Sequence, residues 1–135
     1  MNLRFTDAEI LEKMRPHVVK AVCEREVVST PAVLAIQLKR FYSVGGKGKR
    51  YQSKKFTKII TYPDELTCQQ LGSVRYRLLA VGRHRGGASI HCGHCTATVR
   101  YGESWFECDD GVVSPTVSPV AKIDGSEYYF LYQKI

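Results

Sequence analysis

The sequence lacks any apolar run near the ~18 residues that cross a bilayer as a helix, and its 44% hydrophobic and 24% charged residues are ordinary for a globular chain. No membrane partner is expected. The opening, MNLRFTDAEI, carries acidic residues within its first ten positions and no apolar core, so no secretory leader is read there. Cysteine is sparse: five residues, an odd number without framework spacing. That argues against a disulfide-stapled secreted scaffold and for reduced thiols inside the cell, in cytoplasm or nucleus. Acidic residues are in deficit, 13 against 20 Lys and Arg, an imbalance that bears on association and solubility and not on fold. Two ligand signatures are missing as well. Gly45, Gly46 and Gly48 do not form GxxxxGK[ST], and Cys92-x-x-Cys95 has no second CxxC to complete a zinc ribbon.

What is present reads mostly as strands. Thr6-Asp7-Ala8-Glu9 is a capping box that opens a short helix ended by Pro16, and the valines between His17 and Val28 favour an extended segment. Pro31 precedes Ala32–Leu38, a nearly continuous apolar run predicted to be a buried strand. Lys47, Lys49, Arg50, Lys54, Lys55 and Lys58 surround the glycines of a basic hairpin. Its charges suit a solvated edge better than a nucleic-acid groove, so nucleic acid is not the expected partner. Pro63-Asp64 marks a turn, followed by a short helical or irregular piece that contains Cys68. Ser73–Val81 alternates as a strand and then turns through Gly82–Gly87. Val112–Pro119 gives a short strand and loop, and Tyr128–Gln133 a terminal aromatic strand. The expected fold class is α+β, predominantly antiparallel β, in a single domain over residues 1–135.

The chemistry-bearing groups are concentrated between Gly86 and Asp110. Thr96, Thr98 and Arg100 alternate with Ala97, Val99 and Tyr101, Gly102 supplies a turn, and Ser104–Cys108 returns. Such a hairpin lets His94 and Asp109 face each other across the ladder. A histidine beside a carboxylate is half of a nucleophile-activating triad. The local cluster also offers a zinc alternative through His91, Cys92, Cys95 and Cys108, and Cys92 stands two residues from His94, as on one strand face. Neither a metal nor any other cofactor is the leading expectation. Glu103, Glu107, Asp109 and Asp110 make the return arm acidic, suited to a basic peptide.

Several boxes, in order, resemble the C-terminal half of the catalytic domain of the ubiquitin-specific proteases. Pro31-Ala32-Val33-Leu34 leading to Leu38-Lys39-Arg40-Phe41 is similar to that family's Pro-x-Val-Leu and Leu-Lys-Arg-Phe strand. Tyr76–Val81 with His84, then Gly93-His94, then Trp105–Val112 and Tyr128–Gln133 follow the family's later landmarks. The resemblance implies the palm-like part of a papain-like cysteine protease fold, with ubiquitin or a ubiquitinated protein as partner. It also implies thiol-dependent hydrolysis after the ubiquitin C-terminal glycine. His94 is then the general base, Asp109 its orienter, and Asp110 a neighbour able to bond the catalytic water or substitute. Gly93, Cys95 and Trp105 stand at substrate-channel positions, although Trp105 by its own chemistry reads as core. Cys95 occupies the place of the family's tyrosine.

The family's Asn-x-Gly-x-x-Cys box is absent from these residues. Cys23 has the right order, but its surroundings are strand-like and not the helix N-terminus that lowers a thiol pKa. Two functions follow as expectations: a portion of a deubiquitinase completed by a chain carrying the cysteine half, or a catalytically inactive relative that binds ubiquitin or a partner.

Overall fold

The computed structural model describes residues 28–46, 50–69, 72–89 and 91–135. The helix expected from Thr6, Cys23 and nearly all of the segment from His17 lie outside them. Among the described residues the strands are β1 Val33–Gln37, β2 Phe41–Val44, β3 Gln52–Lys55, β4 Glu65–Cys68, β5 Val74–Arg85, β6 His94–Tyr101, β7 Ser104–Asp109, β8 Val112–Thr116 and β9 Glu127–Lys134. Seven form one antiparallel sheet in the order β1-β9-β5-β6-β7-β8, with β4 added to the start of β5, while β2 and β3 form a separate hairpin. The last strand in the order of the sequence is therefore interior to the sheet, between β1 and β5.

The period-two pattern of β5 and β9 sends Tyr76, Leu78, Val81, Phe130 and Tyr132 to one face, where Tyr62 and Trp105 complete the buried cluster. Three of its tyrosines need partners for their hydroxyls. Tyr62 donates to the Pro119 carbonyl at 3.0 Å, Tyr76 to Pro31 at 2.9 Å and Tyr132 to Pro63 at 2.8 Å. Each bond fastens a loop over the sheet, so the polar tips of the core rings also tie down the connections.

Three expectations from the sequence are corrected. The run before Leu38 is not a fully buried strand: among the described residues β1 lies at the sheet edge, paired only with β9, and alternates half-buried Leu34 and Ile36 with exposed Val33, Ala35 and Gln37. The piece containing Cys68 is extended over Glu65–Cys68, and only Gln69 after it is helical among the described residues. The extended part is β4, held on β5 by the Leu66–Tyr76 pairing and by Glu65, which accepts from Arg75 at 2.6 Å and Arg77 at 3.4 Å. Finally, Gly82–Arg85 is no turn. β5 runs through it with one register shift against β9, after Gly82, and Arg83 and His84 find buried partners (below).

The basic hairpin forms where its glycines predicted. Arg40, buried at its base, donates to the Glu127 carbonyl and to the carbonyls of Phe56 at 3.0 Å and Lys58 at 2.9 Å. One side chain thus joins the hairpin to the start of β9.

Candidate active site

Pairing of β6 with β7 runs from Tyr101–Ser104 to Ala97–Cys108. His94 and Asp109 project beyond the last pair, on the face that carries Thr98 and Glu107. Diagonal neighbours on one face lie within reach of a long side chain, and here His94 Nε2 lies 2.5 Å from Asp109 Oδ1. Both side chains are about half exposed, at 50% and 52%. Asp110 takes the left-handed backbone conformation, φ 49°, in the turn to β8. That turn brings a second carboxylate back: ligand atoms of His94, Asp109 and Asp110 all lie within 4.8 Å of one another.

The imidazole responds to this company. The hydrogen bond to Asp109 raises the His94 pKa above its ordinary value; the charge of Asp109 and then of Asp110 adds to the effect, and desolvation and Arg85 oppose it. With Nε2–H donating to Asp109, Nδ1 is the nitrogen left to exchange a proton with a third group. The arrangement is an oriented, strengthened base at an open sheet end.

The other candidate residues separate. Gly93, just before His94, has φ +151°, and a Cβ there would sit 2.5 Å from His84 Cε1 and 2.6 Å from the Arg85 carbonyl oxygen. Glycine is required by contact as well as by conformation. Cys95 is exposed on the opposite face of β6, across from His84. Trp105 is only 7% exposed and lies in the core beneath the Arg100 guanidinium, 4.6 Å from its ring centre.

The zinc alternative is likewise corrected. Among the described residues the one group with metal-ligand proximity is His94, Asp109 and Asp110, not His91, Cys92, Cys95 and Cys108. His91 and Cys92 sit in the turn before β6, so Cys92 does not share a strand face with His94. Cys95 alternates to the other side of the sheet.

Nor is the return arm a free acidic strip. Glu103 lies 3.9 Å from Arg77 and 3.8 Å from Arg100, and Glu107 lies 3.6 Å from Arg83 and 3.9 Å from Arg85. Two groups that sequence reasoning passed over anchor this network. Arg83 is buried between Thr98, Glu107 and Glu127, and Glu127 is wholly buried, accepting from the backbone N–H groups of Asp124 at 2.9 Å and Gly125 at 3.0 Å. Gly82-Arg83 read as a turn because glycine and charge usually mark one; the signal that remained was the two-residue spacing that puts Arg83 on the same face as buried Val81.

This sheet, carrying a histidine and two carboxylates at its open end, is a palm-type sheet of a papain-like cysteine protease. The profile of the ubiquitin carboxyl-terminal hydrolase family matches residues 7–132, and the chain belongs to that family. It is similar to ubiquitin carboxyl-terminal hydrolase 36 of Drosophila melanogaster, 34% identical over 103 residues, which are 69% of this chain and 10% of that protein. With ubiquitin carboxyl-terminal hydrolase 15 of Homo sapiens it shares 31% identity over 125 residues, 85% of this chain and 12% of that one. Among solved structures, the Ubp8/Sgf11/Sus1/Sgf73 SAGA DUB module bound to ubiquitin aldehyde superposes with a TM-score of 0.63 and 25% identity. That match covers 78% of this chain and 25% of the other. The chain thus spans about a tenth of these relatives and a quarter of the solved chain.

Proposed function

We propose that residues 1–135 supply the base and the orienting carboxylate of a cysteine-dependent deubiquitinase whose nucleophile comes from outside them. The observation that carries this reading is the 2.5 Å bond between His94 Nε2 and Asp109 Oδ1. In the reaction, a cysteine thiol gives its proton to His94 Nδ1 and the thiolate attacks the carbonyl carbon of the ubiquitin C-terminal glycine. The tetrahedral intermediate collapses, the C–N bond breaks, and the imidazolium returns the proton to the leaving amine. Water then repeats the sequence on the thioester, with His94 as base. Asp109 holds the ring and stabilises its charged form, and Asp110 bonds the attacking water. A raised His94 pKa favours the thiolate–imidazolium pair that such a nucleophile needs. The reduced cysteines fit a site of action in cytoplasm or nucleus.

The test uses the protein isolated with the polypeptide that carries its cysteine, treated with ubiquitin bearing a C-terminal electrophile. A covalent adduct is expected, and His94→Gln lowers its rate by about 10²–10⁴-fold, the range of general base catalysis. The second reading, a non-catalytic ubiquitin-binding relative, is favoured by Cys95 at the family's tyrosine position. Ubiquitin binding with no adduct would establish it in place of the first.

A further inference from the structure

The base of the proposed triad stands at an exposed strand end, and its own side chain has Asp109 as its bonded partner. Its backbone pairs with Arg85 on β5, and the glycine just before it lies against a different imidazole. His84 is only 3% exposed and sits on β5 opposite Cys95. Each edge of its ring is occupied. Lys55 Nζ, at the end of the basic hairpin, lies 3.3 Å from Nδ1 and also donates to the His84 carbonyl. The Phe41 ring meets it edge to face at 5.1 Å between centroids. The Cε1–Nε2 edge lies directly against Gly93, so closely that a Cβ on Gly93 would be 2.5 Å and 2.7 Å from those two atoms.

An ammonium has only donors, so Lys55 at Nδ1 makes that nitrogen the acceptor and leaves the ring hydrogen on Nε2, toward Gly93. The ring is therefore locked in both rotation and tautomer. Over the floor it provides lies the turn that leads into β6. It has positive φ at Gly86, Gly87 and Gly93, and bonds at 3.1 Å from Cys92 N–H to the Ser89 carbonyl and at 3.2 Å from His91 N–H to Ser89 Oγ.

We infer that His84, held by Lys55 and Phe41, is a positioning residue: its ring is the rigid floor on which Gly93 rests, and it sets the height at which the His94 imidazole meets Asp109. The basic hairpin is thereby coupled to the site through Lys55 and Phe41, residues that never touch His94. The catalytic meaning of this rests on the function proposed above, but the coupling is a property of this chain and is measured without a nucleophile.

The experiment follows the His94 imidazole by NMR through a pH titration of residues 1–135. In His84→Ala the floor is lost, Gly93 sinks, and the His94 pKa falls toward the ordinary value of about 6.5. Lys55→Met, on an accessible hairpin, preserves the core and produces a smaller shift of the same sign. Leu78→Ala is the structural control: buried far from the turn, it lowers the melting temperature and leaves the His94 titration where it was. Folded Lys55→Met and His84→Ala proteins with an unmoved His94 titration would overturn the inference, as would Leu78→Ala moving it equally. Failure to form an adduct with the ubiquitin electrophile leaves this result untouched, so the two proposals fail separately.

Discussion

At the scale of single residues, the His94–Asp109 contact is an electrostatic statement that can be read by titration. Its hydrogen bond comes first among the causes of the raised His94 pKa, ahead of the charge of Asp110. Asp109→Asn is therefore expected to lower that pKa more than Asp110→Asn, both moving it down, as followed by histidine NMR. The sign of the pH dependence of stability follows. A histidine whose folded pKa lies above its unfolded one favours the folded state fully below about 6.5, and this contribution is lost as pH rises through the folded value. Denaturant midpoints of the parent should thus fall relative to Asp109→Asn as pH passes upward through that window. Both side chains are half in water, so the change is small.

Strands and turns obey a second logic, in which burial of one face decides register. Leu78 is wholly buried at the centre of the core, and Leu78→Ala removes enough apolar contact to cost about 2–5 kcal/mol in urea unfolding. Thr98 contributes differently. Its hydroxyl accepts from Arg83 and donates to Glu107 Oε2 at 2.6 Å. Thr98→Val keeps the shape and takes one hydrogen bond from each partner, with an expected loss of roughly 1–3 kcal/mol by the same measurement. These alternations explain what was legible beforehand. β6, β7 and β9, the first part of β5, and the juxtaposition of His94 with Asp109 follow from period two and one turn glycine. β4 was not legible, because Glu65 disfavours a strand and Thr67 alone is a strong strand former, so the segment takes strand form through pairing with β5. The far end of β5 was hidden for the converse reason: its glycine and charges mimic a turn until Glu127 and Lys55, distant in sequence, are brought alongside. The Cys–His cluster misled by proximity in the chain, since consecutive strand residues point to opposite faces.

Across the whole molecule, two sheets must act as one body if the hairpin is to bear on the site, and the joint between them is narrow. A two-stranded hairpin is marginal by itself in water, so β2–β3 depends on its anchors: Arg40 to the carbonyls of Glu127, Phe56 and Lys58, and Lys55 and Phe41 to His84. Arg40 is buried, and burial pulls its pKa below the usual arginine value while Glu127 and Asp124 oppose that pull. Its charge is retained because arginine does not deprotonate in proteins. Replacing it with methionine keeps the stem and removes the donors, leaving three carbonyls without their partner. The expected loss is about 3 kcal/mol or more, but its distribution is the sharper test. Hydrogen exchange should rise first in β2 and β3, where the lost bonds were the main tether. The central strands β5, β6 and β9, secured by the tyrosine-capped core, should keep their protection until global unfolding. Uniform acceleration over both sheets would mean that the hairpin is an integral layer of the fold and not a separately anchored arm.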